Sequence, residues 1–180
     1  MFLTICFLML MTMTESTVLV DFTNENSLRN WRVVDDVVMG GRSSGRLALN
    51  KKGYAVFSGN VSLENNGGFS SIRYTPNPQE VSTFDTIRLK VKGDGKRYQF
   101  RIKSDRYDYH SYIHYFDTSG EWEEIELAFS DFYPAFRGRK LNMPNYPGST
   151  ISEISILVGN KIAESFQIEI AQISVTQQIQ

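Results

Sequence analysis

The sequence predicts an all-β fold, a sandwich or barrel of about ten short strands. Three observations carry this. Short apolar or alternating runs recur along the whole chain. Turn signals built from Gly, Asn, Asp and Pro separate them. No stretch holds the period of an amphipathic helix. With 180 residues and one such pattern, a single β-sandwich domain is expected over residues 17–176.

Residues 1–16 read as an apolar N-terminal extension, carried by Phe2, Leu3, Ile5, Phe7, Leu8 and Leu10. It lacks a basic flank and a small-residue cleavage site. It is also shorter than the about 20 residues needed to span a bilayer. Three readings stay open: a start codon placed too early, with translation from Met13; a signal or anchor; or a structured segment. No Arg-rich transit segment is present. The single cysteine, Cys6, lies in this extension, so there is no disulfide framework, and a reducing compartment fits. A cytoplasmic location is expected, with export as the alternative if residues 1–16 act as a signal. The net charge of −1 argues against a general nucleic-acid binder, which would carry a basic excess.

The first strand is expected over residues 18–22, before a polar turn over 24–30. A second spans 31–38, interrupted by Asp35 and Asp36. Gly40, Gly41, Arg42 and a Ser-Ser-Gly then form a shaped loop. Residues 46–49 and 54–57 flank a Lys-Lys-Gly turn. Asn65-Asn66-Gly67-Gly68 reads as a hairpin turn between 60–63 and 69–74, and Pro76 and Pro78 break the ladder.

The clearest hairpin signal is Asp94-Gly95, between residues 86–92 and 96–103. Its register would set Val91 against Tyr98, Leu89 against Phe100 and Ile87 against Ile102 on a core face. The other face would pair Lys92 with Arg97, Lys90 with Gln99 and Arg88 with Arg101. Like charges in direct opposition destabilise a sheet, so this basic ladder needs an acidic neighbour or a ligand. Residues 122–129 supply an acidic candidate, alternating Glu124 and Glu126 with Ile125, Leu127 and Phe129.

Residues 107–116 are aromatic-rich and strand-like. They suit either a packed sandwich strand, whose tyrosines keep their hydroxyls wet, or a binding surface. On a strand, His110 and His114 would lie roughly 13 Å apart, too far to share a zinc ion. Residues 131–143 and their continuation through Tyr146 form a long loop rich in aromatics and cations. Such a loop either serves function or folds its own aromatics over the sandwich edge. Residues 152–158 and 166–175 close the fold as two strands.

Several runs, taken together, resemble one family. They are residues 35–45 (Asp-Asp-Val-Val-Met-Gly-Gly-Arg-Ser-Ser-Gly), 57–69, 93–98 and 136–139 (Phe-Arg-Gly-Arg), in that order. They resemble the complex I intermediate-associated protein 30 family, over residues 18–175. The resemblance implies a galactose-binding-like jelly-roll β-sandwich. Mitochondrial members of that family are assembly factors of respiratory complex I, chaperone-like partners of membrane-arm intermediates, so membrane contact would come only through a partner. The resemblance supplies no catalytic residues. It marks Asp36, Met39, Gly40, Gly41, Ser43, Gly45, Asn65, Asn66, Gly67, Gly68 and Gly138 as signature positions of structural character.

An enzyme is not expected. There is no nucleophile elbow, no phosphate loop and no cysteine within the domain. Asp35 and Asp36 are adjacent, so on a strand they point to opposite faces and cannot form a glycosidase pair by themselves. No cofactor is expected. Calcium at these two aspartates is chemically conceivable, but no further acidic cluster accompanies them.

Two functions remain. The first is an interaction module for a protein partner, such as a respiratory-complex assembly intermediate. The second is a carbohydrate- or small-ligand-binding module. For the second, Tyr107, Tyr109, Phe136 and Tyr146 would serve as platforms. Asp36, Arg42, Arg73 and Arg137 would bond hydroxyls. Exposed coplanar aromatics in a groove would favour sugar, and a broad apolar patch would favour a protein. Asp35 or Asp36 is expected to pair with Arg42 or another arginine and fix the loop containing Met39, Gly40 and Gly41.

Overall fold

The computed structural model describes residues 15–23 and 28–177. The expected extension over 1–16 lies almost wholly outside them. Alternating side chains give each strand one apolar face, and two such sheets bury those faces against each other. The result is an all-β, galactose-binding-like sandwich. Its only helical elements, among the described residues, are three single 3₁₀ turns.

In chain order the strands are β1 (Ser16–Asp21), β2 (Trp31–Asp35), β3 (Ser44–Leu49), β4 (Ala55–Val61), β5 (Ser70–Tyr74), β6 (Gln79–Glu80), β7 (Thr86–Lys92) and β8 (Arg97–Lys103). They continue with β9 (Ser111–Asp117), β10 (Trp122–Ala128), β11 (Tyr133–Phe136), β12 (Arg139–Lys140), β13 (Thr150–Ile151), β14 (Glu153–Val158) and β15 (Glu164–Thr176). One sheet runs β10-β7-β15-β4-β3, with β1 added to the far half of β15. The other runs β12-β11-β9-β8-β14-β5-β2. The short pair β13-β6 stands apart. The core holds Ile87, Leu89 and Val91 from the first sheet against Tyr98, Phe100, Ile102 and Ile156 from the second.

The expected hairpin at Asp94-Gly95 does not form. β7 pairs with β10 and β15, and β8 pairs with β9 and β14, so the chain crosses between sheets here. The two core faces oppose each other across the sandwich instead of lying side by side. A turn signal fixes local backbone angles, as at Gly95 (φ 78). It carries no information on which sheet each flanking strand joins. The Asn65-Asn66-Gly67-Gly68 turn is corrected in the same way. It links β4 to β5 in the other sheet, through left-handed Asn65 and Asn66 (φ 54 and 59).

The crossing splits the basic ladder. Arg88, Lys90 and Lys92 stay on the outer face of the six-stranded sheet. There the acidic strand does pair with them, setting Glu124 opposite Lys90 and Glu126 opposite Arg88, with a 2.7 Å Arg88–Glu126 bridge. Arg97, Gln99, Arg101 and Lys103 go to the outer face of the seven-stranded sheet, away from that strand. The long loop after residue 131 is partly ordered as the β11–β12 hairpin.

Candidate functional site

The signature run is a main-chain staple. β2 ends at Asp35, and Asp36–Met39 make one 3₁₀ turn closed by Gly40 in the left-handed region (φ 86). Met39 therefore sits in a turn and not in a strand. Asp36 is 1% exposed. Its carboxylate accepts the Ser43 N–H (3.0 Å) and hydroxyl (2.5 Å), the Gly68 N–H (2.6 Å) and the Phe69 N–H (3.2 Å). A Cβ at position 41 would lie 2.2 Å from Asp36 Oδ1, so only glycine fits there. Asp35 accepts the Gly45 N–H (3.0 Å) and the Ser70 hydroxyl (2.5 Å). Together the two carboxylates tie β2 to the segment entering β3 in the other sheet and to the crossing into β5. Burial pushes the Asp36 carboxyl up, but the four hydrogen bonds outweigh it and hold it below the ordinary carboxylate range.

Among the described residues the expected aspartate–arginine pair does not form. Arg42 instead meets Glu64 at 2.8 Å, with both side chains exposed. Loop N–H and O–H donors already fill the aspartate oxygens, which leaves Arg42 to solvent. The same donors occupy the oxygens a calcium ion would need. Among the described residues no three His, Cys, Asp or Glu side chains are grouped as a metal ion would require.

The outer face of the seven-stranded sheet is a different kind of surface. Strand pairing lines up one row across six strands: Arg32, Arg73, Ser155, Arg101, Ile113 and Tyr133. The adjoining rows add Gln99, Tyr115, Arg97 and Asp117 on one side, and Lys103, Glu153 and Lys140 on the other. This face carries six cations (Arg32, Arg73, Arg97, Arg101, Lys103, Lys140) against two carboxylates (Asp117, Glu153), in a chain whose net charge is −1.

Its floor is recessed: Gln99, Ser155, Leu157 and Ile113 are all buried beneath the longer side chains. Arg101 donates Nε and an Nη to Gln99 Oε1 at 3.0 and 2.6 Å. Its acceptor is therefore neutral. Burial and the charge of Arg73 push the Arg101 guanidinium down to about 10. The Glu153 carboxylate goes to Arg32 at 3.3 Å. Arg97 lies 4.0 Å over the Tyr115 ring, and Lys140 lies 5.1 Å over Tyr133.

The other sequence candidates lie apart from this row, except Arg73, which is within it. Tyr107 and Tyr109 sit in the β8–β9 loop and are 87% and 62% exposed. Tyr109 meets Phe136 edge-on (5.4 Å, 79°), and its hydroxyl reaches Met143 Sδ at 3.7 Å. Arg137 (φ 47) and Gly138 (φ 76) turn the β11–β12 hairpin, and Arg137 stacks on Phe136 at 5.3 Å. Tyr146 cannot be a platform. It is 4% exposed, packs on Phe129 and donates its hydroxyl to Thr150 O at 3.0 Å. Here the long loop folds its own aromatic into the core. Sequence reasoning missed Arg101, Tyr115, Tyr133 and Ser155 as one surface. Alternation already put Arg97, Gln99 and Arg101 on a shared face, but the neighbouring strands were not legible.

Comparisons with known proteins agree with this architecture. The chain is similar in fold to the Family 11 carbohydrate-binding module from Clostridium thermocellum, solved in complex with a β-1,3-1,4-mixed-linked tetrasaccharide. The TM-score is 0.65 at 18% identity, covering 92% of this chain and 97% of that module. It is 26% identical over 186 residues to the mouse (Mus musculus) protein named complex I intermediate-associated protein 30, mitochondrial. It is 28% identical over 189 residues to a Caenorhabditis briggsae protein named probable complex I intermediate-associated protein 30, mitochondrial. These matches cover 91% and 89% of this chain but only 57% and 54% of the two relatives, so the chain spans little more than half their length. Both names place those relatives in mitochondria, which overturns the cytoplasmic location expected from the sequence. The family profile described as Complex I intermediate-associated protein 30 (CIA30) matches residues 20–170, and the chain belongs to that family.

Proposed function

We propose that this protein is a non-catalytic interaction module that binds protein partners during assembly of respiratory complex I in mitochondria, holding assembly intermediates as a chaperone does. The family match over residues 20–170 carries this reading. Its contacts with membrane-arm intermediates would be made through those partners. No described helix is long and apolar enough to cross a membrane. The recessed cationic sheet face, with Tyr115 and Tyr133 among its arginines, offers a partner surface of the composition that interfaces favour, rich in Tyr and Arg.

The second reading, carbohydrate binding, is favoured by the likeness in fold to the Family 11 module. The exposed aromatics speak against it. Tyr109 and Phe136 meet edge-on and so form no flat platform. One face of each of Tyr115 and Tyr133 is covered by a cation.

Affinity capture of the tagged protein from mitochondria, with mass spectrometry of what co-purifies, tests the assembly reading. Enrichment of complex I subunits is the expected result. A partner-free protein from both soluble and membrane fractions, together with a positive glycan-array screen, would replace it with the second reading.

A further inference from the structure

We propose that the row Arg73–Ser155–Arg101 binds the carboxylates of an extended acidic segment in a protein partner; this rests on the protein-partner reading above. The basic ladder gives the first reason. Strand β10 neutralises its β7 half through the Arg88–Glu126 bridge and the Glu124–Lys90 pairing. The β8 half has no such strand. Glu153 and Asp117 lie opposite Lys103 and Arg97, and only the Ser155 hydroxyl stands between Arg73 and Arg101.

The bonding inventory agrees. Among the described residues Arg73 has no hydrogen bond or ion pair, and Arg101 is held by the neutral Gln99 amide. Arg32 and Arg73 also lie in direct cross-strand opposition, and the one carboxylate there, Glu153, goes to Arg32 at 3.3 Å and leaves Arg73 without an anion of its own. Ser155 adds a hydroxyl donor between two guanidinium forks, and such forks match a carboxylate in bidentate fashion.

Dimensions select the occupant. A row crossing six strands is roughly 24 Å long, at about 4.8 Å per strand spacing. That is far wider than a single small anion. It matches about seven residues of extended chain at about 3.3 Å each. The buried Leu157 and Ile113, with Tyr115 and Tyr133, give an apolar floor and the Tyr and Arg side chains that dominate protein-binding hot spots.

Fluorescence anisotropy with a labelled ten-residue peptide of alternating Glu and Thr tests the proposal, against the matching Gln and Thr peptide. The Glu peptide is expected to bind about tenfold tighter, with an affinity that falls as salt rises. Arg73→Gln should weaken it about fivefold or more, and Arg101→Gln at least as much, as expected for loss of a charge-assisted contact. Arg88→Gln makes the same charge change on the opposite sheet and should leave binding unaltered. Arg73 has no bond to lose, so its variant keeps the fold, to be confirmed by circular dichroism.

Equal affinity for the two peptides would overturn the proposal. So would an Arg88→Gln loss as large as that of Arg73→Gln, or complete displacement of the Glu peptide by millimolar inorganic phosphate. The two readings separate in mitochondrial capture. If wild type and Arg73→Gln retrieve complex I subunits equally, the arginine row is refuted and the assembly role stands. If the Glu peptide discriminates but no complex I subunit is retrieved, the assembly role falls and the row stands.

Discussion

Arg73 and Arg101 stand on either side of Ser155 in one row of the seven-stranded sheet, and the charge of Arg73 helps to depress the basicity of Arg101. A pair of like charges held by the fold, without a carboxylate between them, trades stability for recognition. Arg73→Gln should therefore stabilise the unliganded protein. Relief of its direct opposition to Arg32 is worth about 0.5 kcal/mol, which raises the melting temperature by about 1–2 °C in a domain of this size. Thermal melts in low salt and in about 0.5 M salt check this, because screening should shrink the gain. A lowered melting temperature would show that Arg73 holds the sheet together.

Asp36→Asn should destabilise the protein by about 2–4 kcal/mol. The carboxylate serves four donors from Ser43, Gly68 and Phe69. An amide keeps the shape but turns its NH₂ toward donors, leaving buried N–H groups without acceptors. A midpoint shift in urea unfolding, with unchanged slope, measures the loss. Asp35→Asn should cost less, since that carboxylate serves only two donors.

The same residue sets part of the acid response. The Asp36 carboxyl is held below its ordinary value of 3.8 in the folded chain. Its contribution is therefore fully present above the unfolded value and is lost as pH falls through the lower folded value. The stability difference between wild type and Asp36→Asn should be constant from neutral pH down to about 5 and shrink below about 4. Urea unfolding at a series of pH values reads this directly. A difference that grows on acidification would mean that the carboxyl is protonated in the native state.

Core faces were legible in the chain. The alternations Ile87-Leu89-Val91 and Tyr98-Phe100-Ile102 are buried as their period requires. Sheet membership was not. Asp94-Gly95 and Asn65-Asn66-Gly67-Gly68 encode backbone angles that suit a corner between sheets as well as a hairpin. The Asp36 staple was also hidden, because most of its donors are main-chain N–H groups, which leave no mark on composition. Arg42, a visible cation seven residues from Asp35, was the natural but wrong partner. Tyr146 was hidden for a related reason. Its N–H bonds Phe132 O at 2.9 Å and its ring meets Phe129, contacts made by a loop folding back on itself.

The β7–β8 corner is itself a small network, and Tyr98→Phe should cost about 1.5–2 kcal/mol. Asp94 Oδ1 accepts the Tyr98 hydroxyl at 2.9 Å, and Oδ2 accepts Lys96 Nζ at 2.8 Å and the Gln167 N–H at 2.9 Å. One carboxylate thus joins β8 of one sheet to β15 of the other. Burial pushes the Asp94 carboxyl up, but Lys96, the Gln167 N–H and Tyr98 together hold it low. Burial and Asp94 push the Tyr98 hydroxyl far up, so it stays a donor. The Phe ring preserves core volume, so the loss isolates the hydrogen bond. Combining Tyr98→Phe with Lys96→Met should be non-additive by about 0.5–1 kcal/mol, because both donors serve one carboxylate. Additive costs in the double-mutant cycle would mean that the corner is held by independent contacts, and that Asp94 is not the joint between the sheets.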